Sequence, residues 1–287
     1  MRQFIITTDT TSDLPRSYVD EHQIPIMSLS YTIDGITYDW SHELPYDEFY
    51  AKMRAGSMPT TAQIIPEQAK QTFLSLIAAG YDIIHVAFSS ALSGSYQSAE
   101  IAARELREEF PEVKIAVIDS LCASLGEGLL VHKLIQMKDA GKSFDEIVAW
   151  AEENKTTVCH NFTVDNLFHL YRGGRVTKTT AILGTMLSIK PLLHVDDEGR
   201  LINIDKTRGR KKSLKWLVDR MCEQIKEYDN DCFFISHGDC LEEAEYVAEL
   251  VEEKTGIKDH LINYVGPTIG AHSGPGTMAL FFLGRPR

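Results

Sequence analysis

The chain is poor in the features that usually announce a chemistry. Five cysteines are scattered over 287 residues, with no C-x-x-C pair. A disulfide framework and a structural zinc site are therefore not expected, and a reducing cytoplasm is the natural compartment. No apolar run reaches the ~18 residues of a membrane span, and the strand-like run from Met1 to Asp9 leads us to expect no signal peptide. Positive charge is in deficit, with 29 Lys and Arg against 41 Asp and Glu and a formal net charge of -12. That balance argues against nucleic acid or an anionic membrane as the partner of the whole chain. The G-x-S-x-G of a nucleophile elbow is missing, and so is H-E-x-x-H. Gly141-Lys142-Ser143 resembles the end of a phosphate-binding loop, but the earlier glycine would fall at Gln136. Gly126-Glu127-Gly128 lacks the third glycine of a dinucleotide fingerprint. Asp196-Asp197-Glu198 fits a solvated turn, and His160, His169 and His194 fit packed or surface histidines. No cofactor and no metal are expected.

What the chain does have is an ordinary globular composition, 44% hydrophobic, at a length that suits one large domain or two smaller ones. Its first half alternates. Phe4 to Thr8, Asp82 to Phe88 and Val113 to Ile118 fit buried strands. Helices are expected near Pro45 and Pro66, from about Tyr96 to Phe110, and up to Gly141. Ile24 to Ile33 is strand-like, with a hairpin signal at Asp34-Gly35. Ser143-Phe144-Asp145-Glu146 fits a capping box. This β-α alternation predicts a mostly parallel sheet covered by helices, with ligands beyond the carboxyl ends of its strands, where Ser89 to Ser95 would lie. In the second half, strands are expected over Thr157–Val164, Ile189–Val195, Leu201–Lys206, Cys232–Ser236, His260–Val265 and Met278–Phe282. A turn at Asp196-Asp197-Glu198-Gly199 makes part of that sheet antiparallel, and helices near Lys211–Tyr228 and Glu242–Lys254 would cover it. The expected fold class is α/β in two domains, 1–155 and 156–287, with a boundary around Asn154 to Thr156.

Near the end stands Gly266-Pro267-Thr268-Ile269-Gly270-Ala271-His272-Ser273-Gly274-Pro275-Gly276-Thr277. Four glycines and two prolines predict a rigid loop, neither helix nor central strand, holding an imidazole and a hydroxyl against a small polar group. The bland alternative is a tight turn with a solvated His272. Pro59-Thr60-Thr61-Ala62-Gln63 fits a polar loop, and Ser93-Gly94-Ser95 adds more hydroxyls. Such neutral donors suit an anion or a carboxylate bound without a metal. Arg172-Gly173-Gly174-Arg175 adds a glycine turn with two guanidinium groups.

Five segments together resemble one family. Asp9-Thr10-Thr11-Ser12-Asp13-Leu14-Pro15, Pro59-Thr60-Thr61-Ala62-Gln63, Leu92-Ser93-Gly94-Ser95-Tyr96-Gln97-Ser98-Ala99, Arg172-Gly173-Gly174-Arg175-Val176 and Ile269 to Gly276 are similar, in order and over essentially the whole chain, to the motifs of DegV proteins. That family includes the fatty-acid-binding subunits of bacterial fatty acid kinase. The resemblance implies that Thr61, Ser93 and His272 gather around a fatty acid carboxylate, with Ser273 nearby and the acyl chain running into the apolar interior between the two domains. One departure is Ala62, where the family has Ser, so one hydroxyl donor is missing.

If the resemblance holds, this chain is a carrier and not an enzyme. It would present the carboxylate of a long-chain fatty acid to a separate ATP-dependent kinase for acyl phosphate formation, in the cytoplasm, within phospholipid metabolism and with at most transient membrane contact. The run Lys206 to Lys215 carries six basic residues in an acidic chain. Arg208, Arg210 and Lys211 are candidates for kinase docking there, Arg208 nearest to that role by the family pattern; a solvated helix face is the alternative. Two other functions stay open: an acyl hydrolase with Ser93 as nucleophile and His272 as base, and a carrier of another amphiphile such as a retinoid or a prenyl acid.

Overall fold

The computed structural model describes residues 2–177 and 188–287. Among these, strands β1 (Gln3–Asp9), β2 (Ile26–Met27), β6 (Tyr81–Ala87) and β7 (Ile115–Asp119) form a parallel sheet in the order β2-β1-β6-β7. All six residues from Asp82 to Ala87 are buried, on both faces of the sheet, which is why such a strand is a nearly continuous apolar run rather than an alternating one. A second, mixed sheet takes β8 (Val158–Thr163), β9 (Ile189–Val195), β10 (Leu201–Arg208), β11 (Cys232–His237), β12 (Asp259–Tyr264) and β13 (Met278–Leu283) in the order β10-β9-β8-β13-β11-β12. Only β11 and β12 run parallel in it; the other neighbours are antiparallel. The α/β architecture expected from the alternation is present in both halves.

Helix α5 (Leu125–Asp139) packs against β1 and β6 of one sheet and β8, β11 and β13 of the other. Leu125, Leu129, Leu130, Val131 and Leu134 are all fully buried, and so is the polar Glu127, because the N-terminal part of this helix is enclosed between the two sheets. The largest apolar cluster passes through it, from Ile6 and Ile84 to Phe162 and Phe281. The remaining apolar clusters lie on the outer faces of the sheets and under the helix α2 (Tyr46–Arg54).

Three expectations need correction. The polar loop at Pro59–Gln63 is in part a strand: β5 (Thr60–Ala62) pairs with β3 (Ser30–Ile33), which also pairs with β4 (Ile36–Tyr38) across the Asp34-Gly35 turn. These short strands form a third, antiparallel sheet; the Asp34-Gly35 hairpin within it was expected, and its pairing with β5 was not. The glycine- and proline-rich stretch is not a loop throughout, because Pro267–Ser273 is a helix. Pro267 stands in its first turn, where the missing N–H costs nothing. Gly270 is there for packing: a Cβ on it would lie 2.6 Å from the Tyr50 hydroxyl. A short helix over Phe168–Arg172 precedes the Arg-Gly-Gly-Arg turn and was not expected either.

Candidate functional site

Between the two sheets lies a cavity of about 410 Å³, within the ordinary range of small-molecule sites. Phe88 reaches it from just past the end of β6, and Ser124 from the N-cap of α5 after β7, so it lies beyond the carboxyl ends of the parallel strands. Most of its wall is apolar, from side chains such as Leu92, Phe162, Leu170, Val195, Ile269 and Phe281, with polar side chains between them. Thr61, Ser93, His272 and Ser273 all line it.

The local folding that brings these four together can be followed bond by bond. Antiparallel pairing sets Thr61 opposite Tyr31. The helix Pro267–Ser273, here α10 counting every helix along the described chain, packs on β3 and β5. Thr61 Oγ1 and His272 Nε2 consequently stand 2.8 Å apart although 211 residues separate them. Ser93 sits in the turn before the helix Ser95–Glu109. It accepts from the Ser95 N–H at 3.2 Å and lies 3.0 Å from the Ser95 hydroxyl. Gln63 ties that turn to the Thr61 strand by accepting from the Gly94 N–H at 3.0 Å.

Arg172 and Arg175 have a role that their sequence position does not show. Arg172 donates to the carbonyls of Pro59 at 2.8 Å and Ala271 at 2.9 Å, clamping the segments that carry Thr61 and His272. Arg175 donates to the Leu92 carbonyl through Nε at 3.2 Å and Nη2 at 2.9 Å, and to the Gly173 carbonyl, which fixes the turn that carries Ser93. Gly173 lets the clamp close: a Cβ there would sit 2.1 Å from His272 Nδ1. The only sequence signal for this was the glycine pair between two arginines.

The electrostatics follow from the same contacts. Burial, with the nearby charges of Arg175 and Arg172, pushes the His272 imidazole down to about 4, so it is neutral at pH 7. The positive charge beside the cavity comes from the two guanidinium groups. Buried polar atoms at this end without a hydrogen-bond partner among the described residues include Ser273 Oγ, His272 Nδ1 and Arg172 Nε. Buried polar atoms are nearly always paired, and Ser273 Oγ is a group that a ligand would satisfy.

The other singled-out residues stand outside the group of Thr61, Ser93, His272 and Ser273. His160 lines it deeper in, but both ring nitrogens are taken, with Nδ1 2.9 Å from the Val158 carbonyl and Nε2 accepting from the Ala123 N–H at 3.1 Å. His169 is half-buried and His194 lies 3.1 Å from the Arg287 carbonyl. Arg208 and Lys211 are exposed on the surface. Arg210 is held by Glu243, with Nη2 at 2.6 Å and Nε at 2.9 Å. Among the described residues no group of three or more His, Cys, Asp or Glu is placed to hold a metal ion, and no helix is long and apolar enough to cross a membrane.

Comparison with known proteins decides the family. A family model described as an uncharacterised protein of the DegV family matches residues 3–285. The chain belongs to the DegV family. It is 47% identical over 286 residues to a DegV domain-containing protein of Clostridium perfringens, covering 99% of this chain and 98% of that one. Two solved DegV structures described as fatty-acid-binding are similar to it throughout. That from Streptococcus agalactiae is 29% identical with a TM-score of 0.86, covering 100% of both chains. That from Thermus thermophilus is 27% identical with a TM-score of 0.87, covering 99% of this chain and 100% of its own. A stearic-acid-binding protein from Eubacterium ventriosum is 25% identical with a TM-score of 0.90, covering 99% of both chains.

Proposed function

We propose that this DegV protein is a cytoplasmic carrier of a long-chain fatty acid, and that the carboxylate sits at Thr61, Ser93, His272 and Ser273. The observation that carries the reading is the pairing of a largely apolar cavity with one end of neutral donors, where the Ser273 hydroxyl is buried and unpaired. The fatty-acid-binding relatives of the same fold support it. In the Nε2–H tautomer His272 donates to Thr61 Oγ1 and frees the threonine hydrogen for the carboxylate. Ser93 and Ser273 supply further hydroxyls, and the two clamped arginines supply positive potential without gripping the oxygens. The chain lies between 1–155 and 156–287 in this reading. Its affinity comes from the acyl tail: at ~0.8 kcal/mol per CH₂, about fifteen methylenes contribute roughly 12 kcal/mol before the costs of binding.

A carboxylate is ionised at pH 7 and needs no general base, so a carrier has only to position it. We infer that a separate kinase transfers the γ-phosphoryl of ATP to it, giving an acyl phosphate, with no cofactor on this chain. A bidentate arginine would stabilise the anion more and make it a poorer nucleophile; here Arg175 is held by carbonyls through Nε and both Nη atoms, and Arg172 through Nη2. Arg208 and Lys211 are the exposed candidates for kinase docking; Arg210 enters that surface only through its pair with Glu243. The hydrolase alternative would need His272 as base, and its partner at hydrogen-bond distance is Thr61, not Ser93.

Titration of a fluorescent fatty acid into Thr61→Ala, Ser93→Ala and His272→Ala tests the site. Each should lose on the order of 1.5–3 kcal/mol of affinity with its melting curve retained. Unchanged affinity in all three removes the assignment.

A further inference from the structure

The inner part of the cavity has a second group of polar side chains. Ser124 and Ser236 both line it and are 5% and 0% exposed. The Ser124 hydroxyl contacts the Asp13 carboxyl and lies 2.9 Å from Ser236 Oγ. No further partner of the Ser236 hydroxyl is found among the described residues. The other polar groups there are occupied: His160 by two backbone groups and Thr277 Oγ1 by the Gly274 carbonyl at 2.8 Å.

Counting hydrogens shows what is left over. A hydroxyl has one hydrogen and two lone pairs, and each contact in the chain Asp13–Ser124–Ser236 uses one hydrogen. With Asp13 ionised, Ser124 donates to Asp13 and Ser236 donates to Ser124, leaving the lone pairs of Ser236 unused. With Asp13 protonated, the donations reverse, and Ser236 keeps its hydrogen and one lone pair. Either way the inner wall carries a buried hydroxyl with spare capacity among Phe162, Ala279 and Phe281. A ligand hydroxyl can meet it in both states, since it both donates and accepts.

Distance places this group well inside the acyl chain. Asp13 accepts from the Gly266 N–H at the start of α10, six residues before His272. At ~1.5 Å per residue the two ends of the cavity are roughly 9 Å apart along that helix. Gln63 and Ile65, beside Thr61, are exposed, whereas Ser124 and Ser236 are buried, so Thr61 marks the mouth and Ser236 the interior.

Resting on the carrier reading, we propose that Ser236, oriented by Ser124 and Asp13, is a specificity-determining residue that admits a fatty acid with a mid-chain hydroxyl. Ser236 would hydrogen-bond that hydroxyl while the mouth holds the carboxylate. The test is a competition titration of octadecanoic, 10-hydroxyoctadecanoic and 2-hydroxyoctadecanoic acids against the unaltered chain and Ser236→Ala, with a melting curve for each. The unaltered chain should bind the 10-hydroxy acid at least as tightly as the plain acid. Ser236→Ala should disfavour the 10-hydroxy acid by about tenfold and treat the other two as the unaltered chain does. If the unaltered chain rejects the 10-hydroxy acid by the same factor as the variant, the proposal fails while the carrier reading stands. If octadecanoic acid binds to neither chain, the carrier reading fails and takes the proposal with it.

Discussion

Two polar clusters lie at the carboxyl end of the parallel sheet, and they are built on opposite rules. In the inner one every carboxyl oxygen of Asp9 and Glu127 has a partner. Asp9 Oδ1 accepts from the Thr11 N–H at 2.8 Å and Oδ2 from the Phe88 N–H at 3.0 Å. Glu127 meets the Thr8 hydroxyl at 2.6 Å and the Thr11 hydroxyl at 3.0 Å. Burial pushes both carboxyls up, and a proton kept on one of them lets Thr11, with its single hydrogen, touch both. At the mouth, by contrast, the Ser273 hydroxyl is left unpaired, and the charged groups are arginines tied to carbonyls. A closed network holds β1, α5 and the end of β6 together; an open one leaves something for a ligand to complete.

The sharpest way to break this comparison is to damage each cluster and see which property falls. Asp9→Ala leaves two buried backbone donors, the N–H groups of Thr11 and Phe88, without an acceptor and should cost roughly 3–5 kcal/mol of stability in a denaturant melt. The mouth variants should instead lose affinity and keep their stability. If Asp9→Ala melts like the unaltered chain, the inner cluster is no scaffold.

Asp13 stands between the two regions, and its pH behaviour sharpens the contrast. Burial pushes its carboxyl up to about 8 from 3.8. Between those values the folded chain keeps a proton that the unfolded chain has lost. The stability this group contributes is therefore full below the lower value and lost as pH rises towards the upper one. Asp13→Asn, which mimics the protonated acid, should melt at or above the unaltered chain at pH 7 to 8, and the difference should shrink on acidification towards about 5. A variant that is least stable, relative to the unaltered chain, at pH 8 would show that Asp13 is ionised in the fold.

The smallest expected effect is at the surface. Arg208→Ala with Lys211→Ala should leave lipid affinity unchanged and slow acyl phosphate formation by a partner kinase severalfold at low salt, with the difference fading as salt rises. Full rates at both salt levels would return this stretch to a solvated face.

How much of this was legible in the sequence differs by element. The long buried strands and the helices after Pro45 and Pro66 could be read because apolar runs and proline at a helix start are local signals. So could the capping box of Ser143 and Glu146, both of whose bonds are formed. The helix α10 could not, since Gly270 reflects the closeness of Tyr50, more than two hundred positions away. The hairpin of β3 and β4 was signalled by Asp34-Gly35, but β5 escaped because a strand of three residues carries little pattern. At the site, Thr61 and His272 could be nominated from their segments, but their 2.8 Å contact depends on long-range packing. The same holds for Arg172 and Arg175, whose partners are carbonyls in distant segments, and for Arg210, whose pair with Glu243 no run of basic residues reveals.

The central claim is that the cavity is an acyl site, and the most direct measurement is native mass spectrometry of the chain as purified from a bacterial host, followed by solvent extraction and mass analysis. An empty cavity of this character would leave apolar surface against water, and host cells contain free fatty acids. The account predicts one long-chain fatty acid per chain, released on extraction. A protein that is empty as purified, and still empty after incubation with palmitate or oleate, would contradict it.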